Sequence, residues 1–292
     1  MTEFVQLVIS GLSAGSIYAL AAVGFTLLWQ ASQTINFAQG EFVMLPAFFV
    51  LAGMTMLGLP FWFSLALGFA LSVTILGLLF KKLVVEPMQP HGTLPLVIAT
   101  IALGLLLKEL VKEFYSAQGQ PFPPLFPTEV YNWGGIAVSA QDLGNLAVAV
   151  GAIVALQLFL QRTRTGRAMQ ATAQDPRVAE ILGVDVRRMI LYTFLINGAL
   201  AALASFLISP IYIAKYSNGE TLGLIAFIAA IVGGFNQIRG ALVGGLLIGV
   251  IDNLAAIYVS TEYRAAIPLV LLIVVIMVRP QGLLGTSEGR TV

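Results

Sequence analysis

Asp252 and Asn253 stand inside the apolar run 240–259, and Asn197 stands inside the run 189–209. A carboxylate among hydrocarbon side chains is costly unless something satisfies it. Asp252 could hold an ammonium group, pair with a neighbouring subunit, or make a structural hydrogen bond between helices. At 1.5 Å per residue it lies roughly 18 Å from the start of its run, near mid-depth or beyond. Asn197 carries the same ambiguity. A second polar break, Asn36-Phe37-Ala38-Gln39-Gly40-Glu41, separates the first two apolar runs. Its polar members Asn36, Gln39 and Glu41 form either a re-entrant turn beside a cavity or a turn whose charge sits in water.

Several chemistries are missing from the chain. It has no cysteine and a single histidine, His91, in a Gln-Pro-His-Gly turn. Disulfides, thiol catalysis and a histidine-built metal site are therefore excluded. No paired carboxylates, Ser/His/Asp set or metal-ligand spacing occurs, so an enzyme is not expected. No GxxxxGK[S/T] stretch is present, so the chain does not hold nucleotide by a P-loop. Neither a resident cofactor nor a nucleic-acid partner is expected.

The most polar stretch is Arg162 to Arg188, with Arg162, Arg164, Arg167, Arg177, Arg187 and Arg188 between two apolar runs. Residues 166–174 are helix-prone after their glycine. Asp175-Pro176 starts a second helix, because aspartate caps free N–H groups and proline suits the first turn. Arg177 to Leu182 would form it, and Gly183 suits its end. Met169, Val178, Ile181 and Leu182 would supply an apolar face. Such a surface could rest on lipid headgroups, sit in a groove on a soluble protein, or serve as a linker that only sets topology.

These groups need elements to hold them, and composition names the solvent. The 292 residues are 58% hydrophobic and 10% charged, with a mean hydropathy of +0.92. Soluble domains carry about 25% charged residues. The continuous apolar runs predict helices, which satisfy their own backbone in lipid, and not a barrel. The expected spans are 4–29, 42–59, 60–80, 94–112, 143–161, 189–209, 221–236, 240–259 and 265–278. The 221–236 segment is short enough to be a half-helix, and 265–278 contains Pro268 and follows Glu262 and Arg264.

The fold class is therefore all-α, a polytopic membrane protein of about eight or nine spans, read as one domain over 1–292. Lys81, Lys82, the six arginines, Arg239, Arg279 and Arg290 fall on one side, which the positive-inside rule makes cytoplasmic. The segment 113–142 has no Lys or Arg but has Pro121, Pro123, Pro124 and Pro127, and reads as an external loop. With nine spans the N-terminus lies outside. The first run lacks a basic flank and a cleavage site and is read as a retained span.

Smaller patterns remain. Asn36/Gly40 and Asn236/Gly240 share a spacing that could mark an internal repeat. Gly11–Gly15, Gly240–Gly244 and Gly245–Gly249 have the spacing for close helix packing, within the chain or at a subunit seam. Lys108, Glu109, Lys112 and Glu113 read as a solvated helix end with mutual pairing.

Residues 165–176 (Thr-Gly-Arg-Ala-Met-Gln-Ala-Thr-Ala-Gln-Asp-Pro), with Ala179, Leu182 and Gly183, resemble the cytoplasmic loop of branched-chain amino acid ABC transporter permeases of the LivH type. Gly15 to Leu20, Gly24 to Leu27 and Asn36 to Glu41 resemble that family's first span and the signature after it. The late glycines Gly233-Gly234, Gly240 and Gly244-Gly245, and the tail Arg279 to Gly285, complete the resemblance in order. It implies that Gly166, Arg167, Ala168, Met169, Ala173, Asp175, Pro176, Ala179, Leu182 and Gly183 form ATPase-coupling helices. Asn36, Gln39, Glu41, Asn197, Asp252 and Asn253 become translocation-path candidates.

The resemblance further implies a bacterial inner-membrane importer subunit working with a homologous second permease, two cytoplasmic ATPases that bind ATP and magnesium, and a periplasmic substrate-binding protein. Membrane lipid surrounds it. The main rival is an ion-coupled secondary transporter acting alone through Asp252 or Glu41. A second rival is a membrane scaffold whose basic loop recruits a soluble protein.

Overall fold

The computed structural model describes residues 2–33, 35–260, 263–264 and 266–285. Glu262 and Arg290, both used in the topology argument, lie outside the described residues. Among those described, six helices are long and apolar enough to cross a membrane, and three apolar helices are shorter. Each of the nine apolar runs falls on one of these helices. The chain is an all-α polytopic membrane protein, with one small β-hairpin among the described residues.

Helix α1 (Thr2–Ser32) is the hub. It is apolar around its whole circumference, as a helix enclosed by protein must be, and it is buried from Gly11 to Leu28 apart from Leu12. Around it pack α6 (Ala140–Arg162), α9 (Val186–Tyr212), α10 (Asn218–Gly233) and α11 (Ile238–Tyr258). Helices α1 and α11 run antiparallel with backbones touching. A Cβ on Gly249 would lie 2.2 Å from the Gly15 Cα, and one on Gly245 would lie 2.5 Å from the Ala19 Cα. Gly240 and Gly244 do the same between α11 and α10, against Gly233 and Ala229. All three glycine pairs thus serve packing within the chain. Without a water-driven hydrophobic effect in lipid, such close approach is how helices gain contact energy.

Helix α2 (Gln39–Thr55) packs on α9, α10 and α3 (Phe61–Ser72). The third apolar run does not end at Lys81-Lys82. It continues through π-helical turns at Val73–Leu79 and Lys81–Val85, then α4 (Glu86–Met88), to make one rod over Phe61–His91. The Lys81–Glu86 ion pair lets this end stay helical while it emerges. Gly77 and Gly198 let the π turn seat against α9. Helix α5 (Thr93–Phe114) follows. The 113–142 segment, expected as a plain loop, holds the antiparallel hairpin β1 (Val130–Trp133) and β2 (Ile136–Ser139). Gln6 of α1 donates to the Ala137 carbonyl, tying the hairpin over the start of the hub. Helices α7 (Arg164–Gln174), α8 (Pro176–Ile181) and α12 (Ala266–Val278) complete the set.

Two helices begin inside the bundle. Helix α1 ends at Ser32, and α2 starts at Gln39, level with Gly24 of α1. It leaves α9 at Tyr212, pairs Ala214 with Gln120, and starts α10 at Asn218. Their first turns meet, since a Cβ on Gly40 would fall on the Gly219 carbonyl. From there they diverge. Thr55 of α2 ends beside Tyr115 at the hairpin end. Gly233 of α10 ends near Asn236, which accepts from the Trp29 indole at the far end of α1.

Candidate functional site

The arginine-rich loop folds locally as its residues dictate. Thr163 caps α7, its Oγ1 accepting from Gly166 N at 2.9 Å. Asp175 caps α8, accepting from Arg177 N at 2.9 Å and Val178 N at 3.1 Å, with Pro176 in the first turn. Gly183 closes it at φ +83°, a conformation that favours glycine. Gly166 seats α7 on α6, where a Cβ would lie 2.2 Å from the Phe159 carbonyl. Met169 and Ala179 are buried, Ala168 and Ala173 are half-buried, and Arg167 is exposed.

One expectation fails in detail. Met169 does not share a face with Val178, Ile181 and Leu182. The chain breaks at Asp175-Pro176, so the two helices turn independently. Met169 points into the bundle, while Ile181 and Leu182 project outward at 85% and 75% exposure. Between α7, the ends of α1 and α6, and the loop before α11 lies a cavity of about 790 Å³. Gln30, Gln157, Gln170, Gln237 and Arg239 give it a polar lining.

The translocation-path candidates separate into three places. Gln39 and Asn197 are buried and exchange two hydrogen bonds, Gln39 Nε2 to Asn197 Oδ1 at 2.9 Å and Asn197 Nδ2 to Gln39 Oε1 at 3.0 Å. Asn36 caps the turn before them, its Oδ1 accepting from Ala38 N, and its buried Nδ2 has no partner. Glu41 is buried where α2, α5 and α10 converge. A Cβ on Gly104 would lie 3.2 Å from its Oε2, and one on Gly219 would lie 2.9 Å from its Oε1.

Asp252 stands apart. Arg264 clamps it, donating from Nε to Oδ1 at 2.8 Å and from Nη2 to Oδ2 at 2.6 Å, and also donating to the Tyr212 hydroxyl. Tyr18 approaches from α1. The hydrogen bonds to Asp252 raise the pKa of the Arg264 guanidinium. Asp252 is thus engaged within its own chain, and Asn253 beside it is half-buried.

The Gln39–Asn197 pair makes a direct prediction. Asn197→Leu would leave the Gln39 amide buried and unsatisfied, at a cost of about 1–3 kcal/mol. Gln39→Leu with Asn197→Leu together should recover part of that loss in thermal unfolding of the detergent-solubilised protein. A double variant no more stable than the worse single one would show that the amides do not act as a pair.

One constellation was not read from the sequence. Lys108 does not pair with its helix neighbours. It crosses to Glu220 of α10 at 2.5 Å and lies 6.0 Å from the Tyr216 ring centre, while Lys112 pairs with Glu109. The signal was present. Residues 40–48 and 219–227 share the pattern Gly-Glu-x-x-x-Leu-x-Ala-Phe. Those nine residues open the two inner half-helices. The Asn36/Gly40 and Asn236/Gly240 match is not a structural equivalence, since Asn36 precedes the buried start of α2 and Asn236 lies at the bundle end.

A helical bundle of this hydropathy, with two helices starting inside it, belongs to the class of polytopic membrane proteins. Residues 7–276 match the family described as branched-chain amino acid transport system / permease component, and the chain belongs to that family. It is 32% identical over 301 residues to the high-affinity branched-chain amino acid transport system permease protein LivH of Escherichia coli (strain K12), covering 99% of this chain and 98% of that one. It is 31% identical to the corresponding permease protein BraD of Pseudomonas aeruginosa, covering 99% and 98%. Among solved structures, PsaBC from Streptococcus pneumoniae in complex with Fab shares the fold, with a TM-score of 0.53, 12% identity and coverage of 95% and 92%.

Proposed function

We propose that this chain is the membrane-spanning permease subunit of an ATP-driven importer for branched-chain amino acids or related small amino-acid-like solutes. It resides in the bacterial inner membrane. A homologous second permease completes the path, two cytoplasmic ATPases bind ATP and magnesium, and a periplasmic binding protein delivers the solute. The nine apolar helices alternate so that the N-terminus lies outside and the C-terminus inside.

The observation that carries this reading is the tip of the arginine-rich loop. Ile181 and Leu182 stand almost bare on a short capped helix. Exposed apolar side chains on a rigid, basic, water-facing element suit a groove on a soluble partner. Met169 and Gly166 tie the preceding helix, α7, to the bundle. When ATP binding closes the ATPase pair, α7 and α8 move with it. They lever α6 and α9, between which they are spliced, and the path changes the side it opens to. The amide-lined cavity beside α7 is the cytoplasmic mouth of that path.

The test is leucine uptake into proteoliposomes, with the complete complex and with this chain alone. The complete complex is expected to accumulate leucine only with ATP. Arg167→Glu is expected to lower uptake about tenfold by reversing a charge on the exposed basic face of α7. Accumulation by this chain alone, driven by an ion gradient, would overturn the reading.

A further inference from the structure

The Lys108–Glu220 pair sits at a depth where charge is not free to face lipid. Gly104, beside Glu41, is at the middle of α5, and Lys108 is one helical turn beyond it, about 6 Å outward. Helix α5 is long and apolar enough to cross the hydrocarbon, and a span centred on its midpoint takes in Lys108. Yet the Glu220 side chain is 58% exposed. An ion pair that is open to its surroundings at this depth must border water or another protein. Along α10 the same face continues as Leu224 and Phe227, and Phe37 flanks it, its ring centre 6.3 Å from that of Phe227.

We infer that Lys108 and Glu220 form a site that reads the zwitterionic head of an amino acid on the translocation path, with Leu224, Phe227 and Phe37 beside its apolar side chain. This rests on the proposed transport function and specifies where the solute is recognised. The physical reason is charge balance. A zwitterion can replace one ion pair by two, its carboxylate on the Lys108 ammonium and its ammonium on the Glu220 carboxylate. No charge is left alone at low dielectric. A solute with one charge would leave either Lys108 or Glu220 uncompensated, which is expensive at this depth. The two Gly-Glu starts explain why the pair is here. Gly40 and Gly219 let the half-helices touch, which brings Glu220 to the bundle surface opposite Lys108.

The experiment measures saturable binding of labelled leucine to the assembled, nucleotide-free complex without the binding protein. Competition is by isovalerate, which has only the carboxylate, and by isoamylamine, which has only the ammonium. Each is expected to compete at least about tenfold less well than leucine, since each forfeits one charge-assisted bond. K108M/E220Q removes both charges together and strands neither. It is expected to weaken leucine binding about tenfold or more while the complex assembles and hydrolyses ATP as before. Undiminished binding in that variant, or either half-analogue competing as well as leucine, would overturn the site. Should the variant not assemble, the competition on the unaltered complex decides alone. Leucine uptake by the unaltered complex is followed in parallel. Its absence would refute the transport reading, whereas uptake that persists unchanged in K108M/E220Q would overturn only the site.

Discussion

Gly249→Leu is expected to abolish accumulation of the folded chain, and Gly15→Leu to do the same. At Gly249 even a methyl group would lie 2.2 Å from the Gly15 Cα and 2.4 Å from the Gly11 carbonyl oxygen. Those neighbours are backbone atoms of the enclosed hub helix, so no rotamer change makes room. Overpacking that side chains can absorb costs about 1–3 kcal/mol. Here α1 and α11 would have to separate along their length, and the contacts of α1 with α9 and α10 would go with them. Size-exclusion yield in detergent and thermal unfolding measure the outcome. Gly151→Leu is the control, because Gly151 is exposed on α6 with nothing within 4 Å of its added Cβ. If Gly249→Leu purifies and melts like Gly151→Leu, the α1–α11 crossing is wrong.

Ile181→Asp with Leu182→Asp should leave the chain folded and stop uptake. Both side chains are solvent-facing, so their loss removes little from the bundle. If they insert into a groove on the ATPase, two carboxylates there must be desolvated without partners. A few central, fully desolvated residues dominate such interfaces, at about 2 kcal/mol or more each. Uptake should fall at least about a hundredfold and the ATPase should elute separately from the permease. The melting temperature should match that of the unaltered chain. A double variant that keeps its ATPase and its uptake would show that these residues face only water.

The helices and their ends were legible because their causes are local. Hydropathy alone placed nine apolar runs; each overlaps a helix, six of them long and apolar enough to cross a membrane and three shorter. Asp175-Pro176 and Gly183 announced α8, since a cap, a proline turn and a left-handed stop need no distant partner. The short 221–236 run suggested a half-helix, and α10 is short. By contrast, the hairpin at 130–139 was invisible as two four-residue strands with little alternation. The extension of the third span to His91 was hidden by Lys81 and Lys82, which look like a loop until Glu86 is seen pairing with Lys81.

The polar groups divide along the same line. Composition and spacing determined that this chain lives in lipid, that most of its basic residues fall in the segments read as cytoplasmic, and that Asn36, Gln39, Glu41, Asn197 and Asp252 are costly where they stand. Each of those facts follows from residue type and position along the chain. Only the tertiary structure decided how the cost is met. Asp252 is answered by Arg264 from beyond its own helix, and Gln39 by Asn197 at a separation of 158 residues. Lys108 left its helix neighbours for Glu220, 112 residues away. A buried polar group states a need that any complementary group could satisfy. Which one does so depends on which segments, distant along the chain, come to lie side by side, and that is a property of packing in three dimensions.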